Sequence, residues 1–271
     1  MVTTFDWSEV APGWDRHRAR ADETVSAVTA DVLARLALRP GEHVLELASG
    51  TGELSRRLAN QVGPQGRVLA TDAAAGMVEL SRATLAGLPQ AQVAQVDAAA
   101  IPLPDASFDA AAFVMGLMFV VEQEQAAQEL RRVLRPGGRA VVTTWAGPQH
   151  NLWLAGLGIA AMTHGVVAGG PPVEPGGLFS LTEPEQLERV RRAGGFSDAT
   201  VEPVQVEMRY ADTDTWFDTV SALAGPLAAA LAAHPDSVPA VRSTASSFVA
   251  QHLTADGLVL PGLALVAYVK A

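Results

Sequence analysis

Cysteine is absent from all 271 residues, which removes disulfides, zinc–thiolate sites and cysteine nucleophiles together. No apolar run reaches the roughly 20 residues that a bilayer span needs. The longest, such as 110–121, read better as a strand buried on both faces. Residues 1–10 carry acids and a tryptophan where a signal peptide would show basic residues and then an apolar stretch. The expectation is a cytoplasmic protein without a membrane span. Positive charge is also in short supply. The formal net charge of -10 repels polyphosphate at long range, and 16–20 and 131–135 offset it only locally. The second block falls in the last turn of an expected helix, where cations suit the macrodipole, so no nucleic-acid partner is expected. Charged residues are 18% and apolar residues 49% of the chain, a balance that argues against disorder. The length suits one α/β domain, residues 1–271, with appended segments.

What is present is an alternation of two periods. Strands are predicted over 43–48, 67–71, 92–96, 108–115 and 139–145, with helices over 53–59, 76–86 and 123–134 between them. The last of these helices is expected to stop at Arg135-Pro136-Gly137-Gly138. Strands alternating with helices predict a doubly wound, mostly parallel α/β sheet. Beyond Trp145 the pattern loosens. Residues 146–181 are rich in Gly and Pro, with a helix near 152–162, and Thr182-Glu183-Pro184-Glu185 reads as a capping box for a helix over 183–193. Strands over 200–210 and 263–270 are about 50 residues apart, too far for a hairpin loop. The intervening helices, 215–233 and 238–253, are expected to form a lid. The organisation expected is therefore an N-terminal cap at 1–30, a cofactor-binding core at 40–146, and lid or substrate segments at 147–181 and 211–260.

The chemistry concentrates after the first strand, in Glu46-Leu47-Ala48-Ser49-Gly50-Thr51-Gly52. Gly50 and Gly52 let backbone approach a ligand closely, and the helix that follows presents free N–H groups. A dinucleotide fingerprint wants a third glycine near position 55, where this chain has Ser55. Glu46, just before the turn, would repel a pyrophosphate yet suit an ammonium group. Asp72 ends the second strand where doubly wound folds place the acid that grips ribose hydroxyls, and its carboxylate can accept from both at once. Asp97, followed by Ala98, ends the third strand, where it could meet an adenine amino group or cap the next helix. All three acids fall on the carboxyl-end rim of the sheet.

These segments resemble the class I S-adenosylmethionine-dependent methyltransferases, in the ubiquinone/menaquinone-methyltransferase-like branch that acts on small molecules. The resemblance runs in order through Glu46 to Gly52, Asp72 with Met77 after it, Asp97-Ala98, Leu103-Pro104-Asp105-Ala106-Ser107-Phe108-Asp109, and Arg132-Val133-Leu134-Arg135-Pro136-Gly137-Gly138. It implies a seven-stranded sheet with its last strand antiparallel and S-adenosyl-L-methionine as cofactor. Glu46, Ala48, Gly50 and Gly52 would lie by the methionine moiety, Asp72 and Ala73 by the ribose, and Asp97 and Ala98 by the adenine. Met77 would pack on the adenine ring, though a methionine on a helical face also serves as core. Met115 and Gly116 would flank the sulfonium. Ala48 stands where the family usually has the first glycine of the turn. The stretch from Phe5-Asp6-Trp7 to Trp14-Asp15-Arg16 resembles the family's cap helix, with Trp14 as the cofactor contact. Methyltransferases of nucleic-acid amino groups often carry a polar clamp where this chain has Met115-Gly116-Leu117-Met118, so the acceptor pocket is expected to be apolar.

No dyad announces a general base. His17 and His150 are the candidates by position, while His43, His234 and His252 read as surface or packing residues. Trp145, Asn151 and Phe179 are candidates for the substrate pocket. No metal-ligand spacing stands out. A sulfonium methyl is already activated, and orientation of bound reactants can supply on the order of 7 to 11 kcal/mol. The expected function is methyl transfer to a hydrophobic or aromatic small molecule, such as a secondary metabolite or quinone-like compound, at an O, N or C atom. The alternatives are a protein that uses bound S-adenosylmethionine in a non-methylating reaction, and a nicotinamide-dependent oxidoreductase.

Overall fold

Five short apolar segments line up in parallel. They are β1 (His43–Leu47), β2 (Arg67–Asp72), β3 (Ala91–Gln95), β4 (Phe108–Val114) and β5 (Leu134–Trp145), in the spatial order β3-β2-β1-β4-β5. The computed structural model describes residues 5–169 and 172–271. Residues 1–4 of the expected cap, and 170 and 171 of the expected lid, therefore lie outside the described residues. Three strands complete the sheet: β6 (Asp198–Tyr210), β7 (Leu253–Thr254) and β8 (Gly257–Lys270). β8 runs antiparallel between β5 and β6. β7 is a two-residue strand hairpinned onto the start of β8, so the described residues hold eight strands where seven were expected.

The helices are α1 (Ala11–Arg16), α2 (Arg18–Thr24), α3 (Ser26–Leu36), α4 (Glu53–Val62), α5 (Ala75–Thr84), α6 (Gln123–Val133), α7 (Leu152–Thr163), α8 (Pro184–Ala193), α9 (Thr213–Leu223), α10 (Pro226–Ala233) and α11 (Val238–Val249). From β1 the chain steps outward through α4 and α5. It then returns to the centre at β4 and steps the other way through α6. Right-handed crossovers in opposite directions put helices on both faces of the sheet. The order reverses between β1 and β4, which opens a crevice at their carboxyl ends. Central strands must be apolar on both sides, and Val44, Leu45 and Ala110 to Ala112 are fully buried. α4 buries Leu54, Ser55, Leu58, Ala59 and Val62, one face of a helical period, and turns its arginines outward.

Several sequence expectations need correction. The 123–134 helix does not end in a free Pro-Gly-Gly turn. Leu134 is already extended, and Arg135 to Gly138 form a bulge inside β5 that shifts its register against β4. Gly137 takes a φ of +78° there and donates to the Ala271 carbonyl at 3.0 Å, which satisfies its N–H within the bulge. The last strand starts at Gly257, not 263. Pro261 lies beyond the stretch where β5 pairs with β8, so its missing N–H costs no ladder bond on that side. The 215–233 helix is two helices bent by 107°. Gly225 adopts a φ of +50° and Pro226 cannot donate to the preceding turn. The 238–253 helix stops at Val249, followed by a 3-10 turn at Ala250–His252. At α8 the N-cap is Glu183, one residue later than the proposed box, and its N–H donates to Gln186 Oε1 at 2.9 Å. Among the described residues no single helix is long and apolar enough to cross a membrane.

Candidate cofactor and acceptor site

The turn after β1 is held open by its own backbone. Ala48, Gly50 and Gly52 have φ values of +56°, +53° and +83°. The N–H of Ser49 donates to the Thr71 carbonyl at 2.8 Å, and that of Gly52 to the Ser49 carbonyl at 2.9 Å. α5 buttresses the turn from one side. Ser81 Oγ donates to the Gly50 carbonyl at 3.0 Å and Thr84 Oγ1 to the Thr51 carbonyl at 2.6 Å. A Cβ on Gly52 would stand 3.0 Å from Ser81 Cα, so close approach of α5 requires glycine as much as the φ does. α4 begins immediately after, with no side chain capping its first N–H groups.

Ala48 is an L-residue in a left-handed conformation, which costs about 1–2 kcal/mol. Its methyl has a counterpart across the crevice. A Cβ placed on Gly116 would fall 2.4 Å from Ala48 Cβ and 2.6 Å from the Phe113 ring. The alanine at 48 and the glycine at 116 thus form one packed pair joining the ends of β1 and β4. Met115, just before it, also has a positive φ, +53°, and its N–H donates to the Thr143 carbonyl at 3.1 Å. Two non-glycine residues in this region side by side mark a strained rim.

Two buried carboxylates face this turn. Glu46 is 2% exposed, and the hydroxyl of Ser55 donates to its Oε2. Burial pushes the Glu46 carboxyl up to about 8; the Ser55 hydrogen bond opposes this and the nearby Asp72 adds to it. Ser55 stands where a dinucleotide site would have its third glycine, so the departure has a positive use. Asp72 is 8% exposed. Its Oδ2 accepts from Gly50 N–H at 3.0 Å and its Oδ1 from Ala74 N–H at 3.0 Å. Burial raises the Asp72 carboxyl above its ordinary value despite those donors. Asp97 is exposed and accepts from Ala99 N–H at 2.9 Å, capping a turn rather than a helix, with Ala98 buried behind it.

The N-terminal segment closes over this rim. Met77, in the first turn of α5, is buried in a cluster with Val10, Ala11 and Ala74, packed by Trp7 and Trp14. Gly76 N–H donates to Ser8 Oγ at 3.1 Å. Arg18 reaches Thr84, and Arg57 of α4 pairs with Asp22. The Trp14 indole nitrogen is buried and has no hydrogen-bond partner among the described residues.

The other candidates separate. Glu46, Ala48, Gly50, Gly52, Asp72, Ala73, Met115 and Gly116 share the rim of β1, β2 and β4, and Asp97 with Ala98 follows β3 beside it. Asn151 is not available to line a pocket. It is fully buried, and its side chain bonds the carbonyls of Ala146 and Leu263, the Leu263 N–H and the Trp153 indole at 2.9 to 3.1 Å. It pins α7 to β5 and β8. Trp145 packs edge-on against Trp153 at 5.2 Å, and both it and Phe179 are buried. His150 is exposed on the 3-10 turn Pro148–His150. His17 lies between α1 and α2, where burial and Arg16 hold it below its usual value while Asp218 opposes them. Among the described residues no group of three or more His, Asp or Glu could hold a metal ion. Ser55, Ser81 and Thr84 escaped sequence reasoning, since hydroxyls within helices carry no periodic signal.

The fold is shared with methyltransferases, and part of the chain is similar to ubiquinone/menaquinone biosynthesis C-methyltransferases. The family described as "Methyltransferase domain" matches residues 44–138, from the start of β1 to the β5 bulge. Ubiquinone/menaquinone biosynthesis C-methyltransferase UbiE of Teredinibacter turnerae is 38% identical over 118 residues, which cover 42% of this chain and 47% of that protein. The chain thus spans about half the length of the curated relatives it matches. Among solved structures, the [4+2]-cyclase SpnF is similar with a TM-score of 0.55 at 24% identity, covering 90% of this chain and 79% of its own. The YcgJ protein of Bacillus subtilis has a TM-score of 0.60 at 15% identity, covering 89% and 97%. At such identities these two show a shared fold.

The rim fits S-adenosylmethionine on its own chemistry. It offers two buried carboxylates for a cationic amino acid and its ribose, uncapped helix N–H groups, and an indole N–H without an acceptor. A pyrophosphate would meet Glu46 instead.

Proposed function

We propose that the chain is an S-adenosylmethionine-dependent methyltransferase for a hydrophobic or aromatic small molecule. One observation carries this reading. A buried glutamate and a buried aspartate flank a left-handed turn at the point where strand order reverses. In this reading Glu46 meets the cofactor's ammonium group, Asp72 with Ala73 its ribose, Asp97 and Ala98 its adenine, and Trp14 donates its free indole N–H. The bound cofactor supplies a methyl group on a sulfonium centre that needs no further activation. The work of the chain is then to hold and to dry the site. Met115 and Gly116 close one wall without a polar group, and the cap of residues 1–30 covers the opening. The segments 147–181 and 211–260 act as a lid that chooses the acceptor. Excluding water strengthens attraction between a cationic donor and an electron-rich acceptor.

Calorimetry of the full chain with S-adenosylmethionine, repeated on Asp72→Ala, tests the cofactor half. Binding by the parent and its loss in the variant are expected, and equal binding by both would overturn the assignment. Release of S-adenosylhomocysteine with a panel of phenols, amines and quinols tests the transfer half. Cofactor binding with no release across the panel would favour a non-methylating use of the cofactor. Ser55 in place of a third glycine disfavours the oxidoreductase alternative, and a titration with nicotinamide cofactors separates the two readings.

A further inference from the structure

Aromatic side chains make up only 6% of the chain, yet four of them converge beside the β4 end of the rim. Trp7 is their hub. Its ring lies 4.6 Å from that of Phe119 at 62°, 5.6 Å from Phe5 at 86° and 6.4 Å from Trp14 at 73°. All four are partly exposed. Phe119 ends the 3-10 turn Leu117–Phe119 that directly follows Met115-Gly116. Trp7 is backed on another side by the elbow between α9 and α10, where a Cβ on Gly225 would stand 2.8 Å from its ring. The cluster therefore joins the N-terminal segment, the reacting end of β4 and the helical insert, and none of its four side chains ionises.

If these rings only glued the N-terminal segment down, aliphatic side chains would serve as well. Aromatic rings add a directional preference, since their faces and edges carry opposite partial charge and favour offset or edge contacts with other planar rings. We infer that Trp7 and Phe119 form the acceptor-selecting surface, which favours a flat unsaturated ring over a saturated ring of the same skeleton. This rests on the methyltransferase reading above. A saturated bicycle buries similar apolar area but is thicker and presents no π face, so it gains less against both rings. Gly225 sets how far Trp7 can retreat.

The test uses the full chain loaded with S-adenosylhomocysteine and titrated in a calorimeter with 2-naphthol or with decahydro-2-naphthol. The parent should prefer 2-naphthol. Trp7→Leu should weaken 2-naphthol about threefold to tenfold, leave decahydro-2-naphthol within about twofold, and be largely rescued by Trp7→Phe. Each variant is first titrated with S-adenosylhomocysteine and then saturated with it, so that both ring compounds are compared on fully loaded protein. Should Trp7→Leu not fold, Phe119→Leu makes the same comparison from the opposite ring. Equal losses for both compounds, no loss of 2-naphthol, or no 2-naphthol binding by the loaded parent would each overturn the inference and leave the methyltransferase reading standing. Failure of the parent to bind S-adenosylhomocysteine would instead remove that reading, and this one with it.

Discussion

In the proposed reading, Glu46 makes cofactor affinity depend on pH in a calculable way. With its carboxyl pushed up to about 8 by burial, roughly one protein in ten carries the ionised form at pH 7. If the ionised form is what receives the cofactor's ammonium group, apparent affinity scales with that fraction. Affinity should then rise about tenfold from pH 6 to 7 and level off toward a maximum near 8. It should fall again above that, as the α-amino group of the ligand, with an ordinary value of about 8, loses its own charge. Binding at pH 7 should release close to one proton, read as a calorimetric enthalpy that differs between phosphate and Tris buffers. Glu46→Gln keeps an acceptor for Ser55 but cannot ionise. It should bind more weakly at pH 8 and lose the acid limb of the profile while keeping the alkaline limb. A parent profile that is flat between pH 6 and 7.5, or a variant with the same slope, would refute the reasoning. The sign for stability runs the other way. The folded protein without ligand holds one more proton than the unfolded chain between about 4.5 and about 8. Stability is therefore full below that window and is lost through it as pH rises, by up to about 1.4 kcal/mol per pH unit. Glu46→Gln should remove that loss, with thermal melts at pH 5 and pH 8.5 as the check.

Ser55→Ala deletes the hydrogen bond that favours the ionised Glu46, so the acid limb should move to higher pH in the same calorimetric series. Gly116→Ala should destabilise by about 1–3 kcal/mol through overpacking against Ala48 and Phe113. Adding Ala48→Gly should recover part of it, measured as a coupling energy by denaturant unfolding of the four proteins. Asn151→Ala should cost about 3 kcal/mol, because it removes the partner of the Ala146 carbonyl, the Leu263 N–H and the Trp153 indole at once. Cofactor affinity should nevertheless hold in calorimetry, since Asn151 belongs to the packing of α7.

Much of the cofactor rim is written locally. An apolar strand ending in an acid and two glycines, then a helix, then a strand ending in aspartate, is a one-dimensional pattern. Each step obeys a rule about neighbours two to four residues apart. Glu46, Gly50, Gly52, Asp72 and Asp97 could therefore be placed on one rim from order alone, because parallel strands bring successive carboxyl ends together. The acceptor side has no such grammar. Asn151 looked free because its partner Leu263 is 112 residues away, and Trp7 looked incidental because Phe119 and Gly225 reach it from remote elements. The pairing of Ala48 with Gly116 and the bond from Ser55 to Glu46 belong to the same class. They depend on where backbones cross and on how much room a single methyl or hydroxyl leaves. The sequence by itself determined the winding of the sheet and the kind of ligand its rim suits, since those follow from period and charge. Only the tertiary structure decided which side chains remain free to meet an acceptor, since that depends on what each has already bonded across the fold.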